Sequence, residues 1–178
     1  MGQYESITEG EKQTFLDIWG TISQDLAGYG NALFNVIFTD FPLMANYFPF
    51  SGPNDDQFEG HAQAFMREMN KWARNLRDKA ALKRDITKLG NSHARLNIRP
   101  EEFENLQQCL LRSVRTKMGT HRFGEQQQEA FHKISGLAFR QIVSSSNRTR
   151  AADTHTVHTG QTGQTGQTGN TRTSKSKK

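Results

Sequence analysis

Two of the six histidines carry the metal chemistry this sequence offers. His61 stands among Phe58, Ala62, Phe65, Met69 and Trp72, and His93 follows Ile86 and Leu89. Both sets repeat at three and four residues, the period of one apolar helix face. Either imidazole alone is more often a hydrogen-bonded core residue than a ligand. The pair reads differently, because the stretch between them is long enough for one helix to leave, turn and return, bringing two imidazoles to one group from opposite faces. No Cys-x-x-Cys or His-Glu-x-x-His accompanies them, so a structural or proteolytic zinc site lacks its remaining ligands. A planar tetrapyrrole needs only one or two axial protein ligands in an apolar slot. The twelve phenylalanines, all at or before Phe139, supply the material for such a slot.

The elements that must position these residues read as helices throughout, an all-α chain without strand-like alternation or hairpin turns. Thr8 with Glu11 makes a capping-box start for a helix bearing Phe15, Ile18, Trp19 and Ile22 and running to about Asp25. A second opens at Ala27-Gly28-Tyr29-Gly30, turns Leu33, Phe34, Ile37 and Phe38 inward, and must stop before Pro42, which starts a short third. Ser51 to Asp56 predicts a loop, and Asp55 and Asp56 suit the positive end of the helix carrying His61. A short helix carries Ile86, Leu89 and His93 and stops before Asn97. Pro100, with Glu101 and Glu102, opens a helix whose apolar face holds Phe103, Leu106, Leu110 and Val114. A last helix runs from about Phe123 or Gly124 to Val143. Beyond Ser144 the apolar period vanishes, so the expected organisation is an N-terminal segment 1–6, a folded domain 7–143 and a disordered tail 144–178.

Over residues 7–143 the chain resembles the globin family. Ile7-Thr8-Glu9-Gly10-Glu11, Trp19, Ala27-Gly28-Tyr29-Gly30, Phe38 followed by Pro42, Phe48, His61, Leu89 through His93, Pro100 with Phe103, and Phe123-Gly124 stand in globin order at near-globin spacing. The resemblance implies a globin fold, with seven to eight helices around a pocket for haem b (iron protoporphyrin). It implies His93 as the proximal iron ligand and His61 as the distal histidine, with Phe48 packed on the porphyrin. Phe34 and Phe65 would fill the distal side, while Leu89, Ile98, Leu106 and Leu110 would line the haem. On residue chemistry alone, a ligating His93 needs its second ring nitrogen tied to an acceptor, and the Leu89 carbonyl and the Ser92 hydroxyl are the local candidates. Phe65 is bulkier than the family's usual aliphatic residue, and the short stretch from Phe48 to His61 suggests that the small fourth helix is missing. Two outcomes stay open: a five-coordinate site that binds dioxygen or another diatomic ligand beside His61, or a six-coordinate one in which His61 itself binds iron.

Composition narrows the partners. Lys and Arg number 23 against 18 Asp and Glu, a net charge of +5. The excess lies entirely between Ser144 and Lys178, so the body is neutral and a nucleic-acid groove is not expected. Cys109 is alone, and no apolar run exceeds three residues. The expected setting is therefore cytoplasmic and reducing, without a spanning helix or secretory signal. Met1-Gly2 with Ser6 matches the N-myristoylation pattern, which places a candidate lipidation site at Gly2. One acyl chain binds membranes only marginally, and the basic end Arg172–Lys178 is a candidate second attraction to the inner face of a membrane. The repeating Thr-Gly-Gln tract from Thr159 reads as a flexible linker. Catalytic triads and phosphate-binding glycine loops are not recognisable, so the expected function is binding rather than enzymatic. Three functions follow: reversible dioxygen binding by a haem protein, a bis-histidine haem protein at a membrane surface with a redox, nitrite, nitric-oxide or sensing role, and a haem-free helical interaction domain.

Overall fold

The computed structural model describes residues 6–48, 50 and 56–159. Those residues form six α-helices and three 3-10 segments. Helix α1, Glu9–Ile22, starts at the expected capping box: the Thr8 amide donates to Glu11 Oε2 at 2.7 Å, and the Glu11 amide donates to Thr8 Oγ1 at 3.1 Å. Its buried stripe, Phe15, Ile18, Trp19 and Ile22, meets the last helix through Phe131, with the Phe15 and Phe131 ring centroids 5.1 Å apart. A 3-10 turn, Ser23–Asp25, leads into α2, Leu26–Asp40, whose N-terminus is capped by Asp25 accepting from the Gly28 amide at 2.9 Å. Pro42 stops α2 as expected and begins a 3-10 segment, Pro42–Tyr47.

Helix α3, Asp56–Arg74, carries His61, and α4, Lys79–His93, ends on the second histidine. The start of α4 is fixed by Asp78, which accepts from the Ala81 amide at 2.9 Å. A 3-10 turn, Ala94–Leu96, and left-handed Asn97 then redirect the chain to α5, Pro100–Met118. Gly119, at φ 80°, ends α5. Helix α6, Glu125–Thr159, packs on α1, α4 and α5, while α2 packs on α3 and α5. Most of the loop expected at Ser51–Asp56, along with Gly2 and residues 160–178, lies outside the described residues.

The last helix departs from the sequence reading by continuing past Val143 to Thr159. Apolar periodicity fails there because the contacts are polar and small. Ser145 and Ser146 are buried against α4, and Ser145 Oγ donates back to the Gln141 carbonyl at 2.8 Å.

The α2–α3 contact is equally close at one point. A Cβ at Gly30 would stand 2.9 Å from the Ala62 carbonyl oxygen and 3.1 Å from Met66 Cγ. Both neighbours belong to the helix that carries His61. Gly30→Ala is therefore expected to lower stability by about 1–3 kcal/mol, the usual cost of overpacking, measured as a reduced midpoint in urea unfolding.

Candidate functional site

Between α3 and the α4–α5 corner lies an apolar cavity of about 240 Å³. Its upper wall is Phe34, Met44, Phe48, His61 and Phe65, and its lower wall is Leu89, His93, Ile98 and Leu106. Trp72, Phe103, Phe139 and Ile142 close the interior end. Half-exposed Tyr47, Glu68, Ile98 and Leu96 line it too and open it towards solvent.

His93 is held as the sequence chemistry requires. Its Nδ1 lies 2.9 Å from the Leu89 carbonyl oxygen and 3.2 Å from Ser92 Oγ, and that hydroxyl itself donates to the Leu89 carbonyl at 2.7 Å. A carbonyl only accepts, so Nδ1 carries a proton, and in the neutral ring that tautomer leaves the lone pair on Nε2. This is the state in which a neutral imidazole binds a metal.

His61 sits among ring edges. The Phe34, Phe48 and Phe50 centroids lie 5.4, 5.1 and 5.5 Å from its own, and the Phe34 ring is perpendicular to it. Burial pushes its pKa below the ordinary histidine value, and charge on the neighbouring His93 pushes it the same way. The two imidazoles line the same apolar cavity.

Eight of the nine expected lining residues, Phe34, Phe48, His61, Phe65, Leu89, His93, Ile98 and Leu106, meet at this cavity. Leu110 does not line it; one turn beyond Leu106 on α5, it is buried in the general core. Glu102 was legible only as an acid suited to a helix N-terminus. In the structure its side chain is buried at the cavity, where Arg99 pairs with it and Asn105 Nδ2 donates to it at 3.3 Å. The signal was its position four residues before Leu106, on the same helix face. Cys109 is buried, and desolvation pushes its thiol up to about 11, so it stays protonated at neutral pH.

Two imidazoles lining an apolar cavity, one with Nδ1 tied to its own helix turn, form a donor set that fits a haem. A family model for globins matches residues 31–142, from just before Phe34 to the last cavity residue, Ile142. The chain belongs to the globin family. Curated relatives of this globin include hemoglobin subunit alpha-D of Turdus merula, 27% identical over 116 residues, 64% of this chain and 80% of that one. Cytoglobin-1 of Danio rerio is 24% identical over 147 residues, 78% of this chain and 84% of the relative. Globins bind haem, and the cavity between α3 and α4 is where this globin has the residues to do so.

The lowered pKa of His61 has a direct consequence for the haem-free globin. Its contribution to stability is fully present above the unfolded-state value near 6.5 and is lost as pH falls through that value towards the lower folded one, because the unfolded chain takes up the proton more readily. Urea midpoints at pH 7 and pH 5 are expected to differ less in His61→Leu than in the natural sequence.

Proposed function

We propose that this globin binds haem b with His93 as the iron ligand and holds dioxygen, or another diatomic molecule, reversibly beside His61. The observation that carries the reading is the commitment of His93 Nδ1 to the Leu89 carbonyl and Ser92 hydroxyl, which leaves Nε2 free at the apolar cavity. Bound haem supplies an iron atom with a coordination position for a diatomic gas. Phe34, Phe48 and Phe65 keep water from that side, slowing loss of the electron to oxygen. His61 brings an N–H donor whose bond to a partly charged acceptor is worth roughly 1.5–3 kcal/mol. The role is binding, and electron transfer by the iron would be its secondary chemistry.

A second reading is favoured by one observation. Phe34 and Phe65 meet edge to face with centroids 5.9 Å apart, and Phe34 also abuts His61, so the ligand side is crowded with rings. Under this reading His61 is itself the second iron ligand, and the role is redox, nitrite or nitric-oxide chemistry, or sensing. His93→Ala is expected to lose stable haem under either reading. In the deoxygenated, reduced natural protein, one broad visible absorption band is the outcome of the first reading, and sharp split bands are the outcome of the second.

Gly2 is proposed as an N-myristoylation site that brings the cytoplasmic globin to the inner face of a membrane, with the basic end Arg172–Lys178 as a second attraction. The support is the sequence pattern Met1-Gly2 through Ser6. Among the described residues no helix is long and apolar enough to cross a membrane. Gly2→Ala is expected to shift the membrane-bound fraction into the soluble one on cell fractionation.

A further inference from the structure

The last turn of α4 and the corner after it carry His93, and they are gripped from behind by a part of α6 that the haem pocket does not use. The two helices come so close that a Cβ at Gly90 would lie 2.6 Å from Ser145 Cβ and 2.7 Å from the Ile142 carbonyl oxygen. Glycine on one helix and serine on the other permit that approach. Ser146 Oγ there donates to the Gly90 carbonyl at 2.6 Å. This carbonyl stands in the final turn of α4, where the Ala94 amide bonds to Asn91 O instead, so the hydroxyl satisfies an acceptor at the helix end.

Two further bonds extend the grip. Thr149 Oγ1 donates to Asn91 Oδ1 at 3.0 Å, and Arg150 Nη1 donates to Asn97 Oδ1 at 2.5 Å, with the Arg150 guanidinium also bonded to Asn147. Asn97 is the left-handed residue, φ 51°, that turns the chain towards α5. The bonds thus fall on residues 90, 91 and 97, on both sides of His93. Within that bracket the imidazole is tied to its own turn by the bonds to Leu89 and Ser92, so it moves with the turn as one unit.

We propose that Ser146, Thr149 and Arg150 are positioning residues for His93, holding the final turn of α4 and the Ala94–Asn97 corner against α6 and so setting where the imidazole meets iron. The proposal deepens the reading of His93 as the iron ligand and rests on it. It gives the stretch of α6 beyond Val143 a part in haem chemistry although none of these three side chains lines the cavity.

The test uses the full chain with Thr149→Val, which keeps the shape and loses the hydroxyl, Thr149→Ser, which keeps the hydroxyl, and the double variant Ser146→Ala with Thr149→Val. In the haem-free double variant, amide hydrogen exchange across Leu89–Ile98 is expected to quicken about three- to tenfold, the worth of one or two lost hydrogen bonds, while exchange across α1 stays unchanged. In the haem-loaded protein, the iron reduction midpoint is expected to move and haem loss to an excess of acceptor protein to quicken about tenfold. Thr149→Val is expected to fall between the double variant and the natural sequence, and Thr149→Ser to stay with the latter. Natural exchange rates in the double variant, or faster exchange with an unmoved midpoint and haem-loss rate, would overturn the proposal. His93→Gly separates the underlying reading: a spectrum that is lost and then regained with added imidazole supports the ligand, whereas an unchanged spectrum removes the ligand and this proposal together.

Discussion

By accepting the proton of His93 Nδ1, the Leu89 carbonyl decides what the far side of the imidazole is able to do. A histidine with Nδ1 free would have two interchangeable tautomers and a ring able to swing about χ1 and χ2. Tied to the preceding turn, it presents one lone pair in one direction. That bond holds only while α4 keeps its final turn, and an isolated helix of this length is marginal in water. The Asp78 cap fixes one end, Leu82 and Ile86 anchor the middle in the core, and α6 backs the other end.

The facing wall works by a different principle. His61 has phenylalanine rings around it, and its burial penalises the charged form of the imidazole. Charge on the neighbouring His93 works in the same direction as desolvation. The Phe34, Phe48 and Phe65 rings also give the cavity its apolar lining on that side. One aromatic cluster therefore surrounds His61 and walls the pocket together, and α2, which supplies Phe34, takes part in the site without donating a polar atom to it.

Much of this was legible in the sequence, because helix starts and apolar stripes are local. The Thr8–Glu11 box, the stop before Pro42 and the start at Pro100 all stand where residue chemistry places them. His61, His93, Phe34 and Phe65 were marked by period and type, and Phe48 only by the family resemblance. What escaped depended on partners distant in the chain. Glu102 is buried because Arg99 and Asn105 compensate it, which its own charge conceals. Ser145 and Ser146 end the apolar period and yet sit buried, because Gly90 of α4 comes close enough to bond a hydroxyl and leaves no room for a larger group. Leu110 shares a helix face with Leu106, but the cavity ends one turn short of it. Periodicity identifies a face without saying how far along that face a pocket extends.

The two tryptophans divide the molecule in a useful way. Trp19 lies in the α1–α6 core with its indole N–H donating to Asn70 Oδ1 at 2.9 Å, whereas Trp72 forms part of the inner wall of the cavity. Indole emission overlaps the intense near-ultraviolet absorption of a porphyrin, and energy transfer between such partners is strongest at contact. Trp72, on the cavity wall, is thus placed to lose emission when a porphyrin fills the pocket. Trp19 is backed by the rings of Phe15 and Phe131. Trp19 is bonded to Asn70, two residues from Trp72, so both indoles lie near the pocket and their emission follows its filling without an added label.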